Sequence, residues 1–362
     1  MKKKKILFVY RTKRLPALKA WQEGRGPDSL LFGQNHFKKL GYQADFFDSA
    51  YSLLNLYHPI FYPLEHSIIN KVGMGFKLDQ AMYLLPKIKN YDVIVGSGDS
   101  AGLPLLALKH YGLIKKPIIF MTAGLAGALH GKTDNWVSSF YKKILPVADV
   151  FTSYSQVETD FFENEMGIAK NKIKYMPLGT DWNYFSKPSK LKREIISAVG
   201  IDSGRDYKTL FEAVSGMNIK VEVACHPSNI QGLEIPDNVT VHLNVPVQKV
   251  KEIFDRSRVS IVPCVERNRS AGQMVLLESS AASLPVVASK IRGITGAFKF
   301  QDQKHLLLVK PQDPQSLKEK INYLLNNQKT ATTIGKNASN FVKNNYTTKH
   351  LAKNLTKLME NL

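Results

Sequence analysis

Ser270-Ala271-Gly272-Gln273-Met274-Val275-Leu276-Leu277-Glu278-Ser279-Ser280-Ala281-Ala282-Ser283-Leu284-Pro285-Val286-Val287-Ala288-Ser289 is the stretch from which the rest of the chain is read. It contains a glycine turn, a helical segment from about Gln273, and a β-branched run at 286–288 that reads as a buried strand. A turn that opens a helix presents unpaired backbone N–H groups and the positive end of the helix dipole. Such a place suits an anion, and a diphosphate is its natural occupant.

Moving outward, the same alternation recurs along the chain. In the first half, short apolar runs at 6–10, 44–47, 93–95, 118–121 and 150–154 are expected strands. Between them, 27–40 carries Leu30, Leu31, Phe37 and Leu40 close to a helical period and stops at Gly41, so a helix is expected there. In the second half, strands are expected at 195–199, 221–224, 239–243, 259–262, 286–288 and 306–309. Helices are expected at 249–254, 274–282, 315–325, 332–344 and 349–359, with a linker over 176–181 and the polar 186–192. Strands alternating with helices argue parallel sheets covered on both faces, with ligands bound at the carboxyl ends of the strands.

The 362 residues exceed what one core holds, since cores stop growing near ~250–300 residues, so two domains are expected. Hydrophobic content of 44% with 22% charged residues fits a globular chain. Cys225 and Cys264 sit in apolar runs without CxxC or histidine-rich spacing, which tells against a disulfide framework or a zinc site. Lys2 to Lys5 look like the start of a signal peptide, but the apolar run 6–10 is too short for a signal core or a membrane span. A cytoplasmic protein without a transmembrane helix is expected.

The net charge of +20 is spread evenly, with 24 basic against 15 acidic residues over 1–185 and 26 against 15 over 186–362. No zinc-finger spacing, basic zipper or RNP-like aromatic run accompanies it, so nucleic acid is not an expected partner. Phosphate-bearing substrates and peripheral contact with an anionic membrane at the inner face of the cell membrane fit the charge better. The lysine-aromatic stretches at 37–40 and 140–145 are the candidate membrane segments, although such lysines are commonly a helix's solvated face. Gly96-Ser97-Gly98-Asp99-Ser100-Ala101-Gly102 is one residue off GxGxxG, which tells against a nicotinamide site.

The opening stretch resembles the family 4 retaining glycosyltransferases, whose signature is a glutamate, a Gly-rich turn, a second glutamate eight positions on, and a tail EAMACGLPVVAS. Glu278 matches the second glutamate, Leu284 to Ser289 match the tail, and Ser270 stands where the first glutamate is expected. Three other segments are similar to parts of the family pattern: Pro177-Leu178-Gly179-Thr180-Asp181-Trp182-Asn183-Tyr184-Phe185 to its interdomain PxGVDxxxF, Asp149 to Ser155 to a strand end at the cleft, and Val199 to Leu210 to VGRLxxxKGxxxL.

The resemblance implies a GT-B fold of two Rossmann-like domains facing each other across a cleft. The acceptor domain would be 1–185 and the nucleotide-sugar donor domain 186–362, with the last helix packing back on the first domain. It implies a hexosyltransferase acting with retention on a glycan or lipid-linked acceptor. Glu278 would bind the donor ribose, and backbone at Gly272, Gln273, Met274 and Val275 would face the sugar and distal phosphate, beside Ser270. Ile201 occupies the usual arginine position, so Arg205, with Lys208 and the Ser203-Gly204 turn, would meet the diphosphate. A guanidinium can grip phosphate oxygens through two N–H groups, which favours Arg205. Thr122-Ala123-Gly124 occupies a turn where many members carry histidine, leaving His130 as the candidate there.

Arg205, Glu278 and His130 are thus the expected catalytic residues, and Ser97 and Asp99 the acceptor-side candidates. No cofactor and no metal are expected, since fixed cations and N–H dipoles meet the charge on the leaving diphosphate. The runner-up readings are a sugar-nucleotide epimerase of the same fold and a non-catalytic nucleotide- or carbohydrate-binding relative.

Overall fold

The computed structural model describes residues 4–49, 54–360 and 362, so Met1 to Lys3 of the lysine-rich start lie outside the described residues. The chain divides into two compact units. The first comprises Met1–Lys19, Leu30–Pro177 and Thr348–Leu362, and the second Ala20–Ser29 and Leu178–Thr347.

In the first unit, strands β1 (Lys5–Tyr10), β2 (Gln43–Phe47), β3 (Val93–Ser97), β4 (Ile118–Met121), β5 (Val150–Ser153) and β6 (Ile173–Tyr175) form a parallel sheet in the order β2-β1-β3-β4-β5-β6. Side chains alternate across a strand. Ile6, Phe8 and Tyr10 therefore enter one core, and Leu7 and Val9 the opposite one. Leu351, Ala352, Leu355 and Met359 of the Thr348–Met359 helix complete the core that holds Ile6 and Phe8. Strands buried on both faces read as unbroken apolar runs, and this is why they stand out in the sequence.

The second unit repeats the plan with β7 (Ile195–Val199), β8 (Lys220–Cys225), β9 (Val239–Leu243), β10 (Ser257–Val262), β11 (Val286–Ser289) and β12 (Leu307–Val309). All neighbours are parallel, in the order β12-β11-β10-β7-β8-β9. From β7 the chain winds outward through β8 and β9, then returns to the other side of β7 at β10. The carboxyl ends of β7 and β10 are thus the topological switch point, where open α/β sheets bind ligands.

One sequence expectation needs correction. The helix over 27–40 is instead two 3-10 turns, Ser29–Leu31 and Gln34–Leu40. Gly33 interrupts it with φ +82°, packed so tightly on the Thr348–Met359 helix that a Cβ would stand 2.9 Å from the Thr348 carbonyl oxygen. The residues of the 176–181 linker divide at Pro177/Leu178, and Leu178 to Asp181 are counted in the second unit. There Asp181 caps the Trp182–Phe185 helix through Tyr184 N, and its backbone N–H donates to Ser29 Oγ. The lysine-aromatic stretches turn their rings inward: Phe37 packs edge-on against Phe8, and Tyr141 is buried against Phe76. Among the described residues, no helix is long and apolar enough to cross a membrane.

Candidate functional site

At the switch point of the second unit, two loops are clamped together. Residues 200–206 follow β7 and residues 263–272 follow β10. Asp206 N donates to Pro263 O (3.0 Å), Val265 N donates to Gly204 O (2.9 Å), and Arg205 bridges Cys264 in antiparallel fashion. Gly204 lies so close to the second loop that a Cβ there would stand 2.8 Å from Ala271 Cβ. A third loop joins them, since Asn229 Nδ2 donates to Asp202 O (3.0 Å). The His226-Pro227-Ser228-Asn229 segment that carries it is a turn closed on itself, with Ser228 N donating to His226 Nδ1 and His226 N to Asn229 Oδ1.

Arg205 is the charged centre of this arrangement, but it is sealed in. Its side chain is 3% exposed, and Nε donates to Asp202 Oδ2 at 2.8 Å. The guanidinium folds back over Gly200, and Nη1 is buried with no hydrogen-bond partner. Burial alone would lower the Arg205 pKa, but negative charge on Cys264, once its thiol ionises at high pH, and on the Asp202 carboxylate outweighs it and the pKa is raised. Burial works against the Asp202 carboxylate too. The charge and hydrogen bond of Arg205, together with Arg269, overcome that and hold it below the ordinary range.

Arg269 is the residue that the sequence reading missed. Its Nε is buried without a partner, its charge reaches Asp202, and its backbone carbonyl packs against Gly293. The available signal was the Glu266-Arg267-Asn268-Arg269 run immediately before Ser270. Arg267 also lies beside Gly204, whereas Arg292 is paired with Glu266 (3.3 Å).

Gly272 adopts φ +72° and starts the Gln273–Ala281 helix, where a Cβ would meet Val262 Cγ1 at 2.7 Å. Leu276 N donates to Gly272 O, so the amides of Gln273, Met274 and Val275 precede the first intrahelical bond. Gln273 Nε2 donates to Gly293 O (2.7 Å), which fixes this turn against the next loop. Ser270 is partly buried just before the turn. Glu278, two turns into the helix, is partly buried, and desolvation pushes its carboxyl up to about 8 while the Arg205 cation pulls it down. Ser203 is exposed at the tip of the first loop. Lys208 lies elsewhere: it is 74% exposed, its Nζ is 4.0 Å from Glu212, and it lines a groove of about 380 Å³ with Phe211 and Pro236.

In the first unit the switch point lies between β1 and β3, where Tyr10 is in register with Ser97. Ser97 is buried, and its Oγ has no hydrogen-bond partner. Asp99 is occupied by the fold: its carboxylate accepts from Thr122 Oγ1 (2.8 Å) and from Ala123 N (3.1 and 3.2 Å). Burial raises its pKa to about 6 against the pull of those bonds. His130 is exposed at the end of the short Leu125–Leu129 helix.

Residues 221–341 match the family of glycosyl transferases group 1. Over its whole length the chain is similar to three solved structures. These are HepE from Anabaena in complex with UDP-glucose (TM-score 0.71, 14% identity, covering 99% of this chain and 100% of that one), a sucrose-phosphate synthase from Thermosynechococcus elongatus (0.68, 16%, 99% and 99%), and a glycosyltransferase from Rickettsia africae (0.67, 15%, 99% and 99%). At such identities the likeness is one of fold. By sequence alone, no curated protein matches the chain.

Proposed function

Residues 221–341 belong to the glycosyl transferases group 1 and the chain has the GT-B fold, and from that premise we propose that it transfers a hexosyl-type sugar from a nucleotide-sugar donor, with retention, to a glycan or lipid-linked acceptor. The observation that carries the reading is the clamp at the β7/β10 switch point. One set of loops there gathers two arginines, the amino end of a helix and a carboxyl with a raised pKa. The UDP-glucose complex of HepE makes a UDP-sugar the first donor to try.

In this reading the second unit holds the donor and the first the acceptor. The leaving diphosphate gains charge in the transition state, and groups that bind it more strongly there than in the ground state lower the barrier. Arg269 and the amides of Gln273 to Val275 meet the phosphates, while the buried Arg205 acts as a fixed cation that braces the Gly200 loop. Such prearranged dipoles and charges are worth most where water is excluded. Glu278 engages the ribose hydroxyls, and Ser97 and His130 are the acceptor-side candidates. The net charge of +20 supports a phosphate-bearing acceptor at an anionic bilayer.

The test is thermal melting with UDP-glucose, GDP-mannose and ADP-glucose, followed by donor turnover with an acceptor panel. A ligand that binds only the folded state raises the melting temperature. A shift with one nucleotide family, lost in Glu278→Ala, is the expected result; no shift with any donor overturns the reading. Binding without turnover favours the non-catalytic relative, a reading supported by the sealed Arg205 and by Ser270 in the place of a glutamate.

A further inference from the structure

At the opposite edge of the same sheet lies a second basic site. Arg193 stands two residues before β7, Arg258 is the second residue of β10, and Pro285 immediately precedes β11. With Lys336 they line a cavity of about 200 Å³, together with Gln328 and Thr332. The donor loops follow the other ends of β7 and β10. Five residues at ~3.3 Å each separate the two edges by about 17 Å.

Three features distinguish this cavity. Its charged lining is all of one sign, and no carboxylate forms an ion pair with Arg193, Arg258 or Lys336 among the described residues. The acid whose charge acts on Arg193 is Asp255, which is itself paired with Lys251. Both guanidinium groups are also held in place by main-chain oxygens, Arg193 by Ala282 O (3.0 Å) and Ser283 O (3.5 Å), and Arg258 by Leu325 O (2.9 Å). Finally, the first turn of the 18-residue Gln328–Asn345 helix forms part of the wall, and its N-cap Asn327 makes no side-chain capping bond. Arg193 and Lys336 are exposed at the mouth of this space and Arg258 is half-buried in its wall, so an anion entering it meets positive charge from three side chains. The size, below the ~300–1,000 Å³ of drug-sized pockets, suits a compact anion.

We infer that this pocket is a separate binding site for a phosphate dianion, either free or as the head of a small phosphate monoester. Each terminal guanidinium nitrogen carries two N–H groups, so Arg193 and Arg258 keep donors for phosphate oxygens beyond their main-chain bonds, and Lys336 adds a point charge. The helix dipole favours the same sign of ligand. A bound phosphate would tie the segment leading into β7 to the Gln328–Asn345 helix. The inference is independent of the donor reading, since no residue is shared between the two sites.

The experiment is thermal melting of the full chain in phosphate-free buffer, titrated with inorganic phosphate or with a hexose 6-phosphate, against sodium chloride at matched ionic strength. The expected result is a saturable rise whose half-saturation moves at least tenfold upward in Arg193→Gln and in Lys336→Ala but stays in place in Arg269→Ala. Lys336 is exposed, so its variant separates ligand loss from folding loss. A tighter response to the monoester supports the site and identifies an ester as occupant, while a tighter response to phosphate supports it as a free-phosphate site. A rise that chloride reproduces, or one that both pocket variants retain, overturns the inference, and so does one that only Arg269→Ala abolishes.

Discussion

The guanidinium of Arg205 lies directly over Gly200: a Cβ at Gly200 would stand 2.1 Å from Arg205 Cζ and Nε. No side chain other than hydrogen fits between them, and Gly200 also adopts φ +153°, a backbone region that L-residues rarely occupy. Gly200→Ala is therefore expected to destabilise the protein by about 1–3 kcal/mol through strain and displacement of the arginine. Urea unfolding measures the stability change, and the donor-induced melting shift should shrink in the same variant.

Asp202 compensates the buried Arg205 cation. Removing one partner of a buried pair leaves a charge with neither water nor counter-ion, at a cost of about 3 kcal/mol or more. Asp202→Ala is expected to lose that much stability in urea unfolding, whereas Asp202→Asn, which keeps an acceptor for Nε, should lose less. Equal stability of Asp202→Ala and the parent protein would show that Arg205 is not held as described.

Glu278 makes stability depend on pH in a definite direction. Its carboxyl ordinarily titrates at 4.5 and is pushed up to about 8 in the fold. Below 4.5 both folded and unfolded forms are protonated. Between 4.5 and about 8 the unfolded chain alone releases the proton, so this group's contribution falls as pH rises and is fully lost above 8. Unfolding midpoints from pH 4 to pH 9 should decline less steeply in Glu278→Gln than in the parent protein.

Arg269 and Lys208 separate contact from mere proximity in sequence. Loss of a fixed cation at a developing phosphate charge is expected to lower donor turnover about 10²-fold in Arg269→Ala. Lys208→Ala should change it less than threefold, because Lys208 lies against Glu212 and the groove beyond. Steady-state rates at saturating donor decide between the two, and the reverse ranking would move the diphosphate to the helix carrying Lys208.

Asp99 links two strand ends in the first unit. Asp99→Ala would strand the buried Thr122 hydroxyl, at a cost of about 1–3 kcal/mol, while the Ala123 N–H, on an exposed residue, can turn to water. A melting temperature unchanged by this substitution would exclude the structural role.

What the sequence determined by itself is what depends on near neighbours. Val286 to Ser289 and Ile195 to Val199 are runs long and apolar enough to be strands wherever they are placed, and both are. Gly272 opens a helix because its positive φ and tight surroundings leave no room for a side chain, and the run beginning at Gln273 shows that helix from the sequence. The short β6 strand was missed because three residues, two of them exposed, carry too little pattern.

Tertiary structure decided whatever depends on partners distant in sequence. Apolar periodicity gave a helix over 27–40, but contact with the Thr348–Met359 helix, more than three hundred residues away, forces the turn at Gly33. The sequence offered Arg205 first and Lys208 second for the diphosphate; folding sealed the first against Gly200 and sent the second to another surface. Arg193, Arg258 and Lys336 share no motif at all, and they meet only because the sheet brings the starts of β7 and β10 beside the Gln328–Asn345 helix. A sequence encodes which face of an element is apolar, but the sum of all packing faces determines which charges that element will meet.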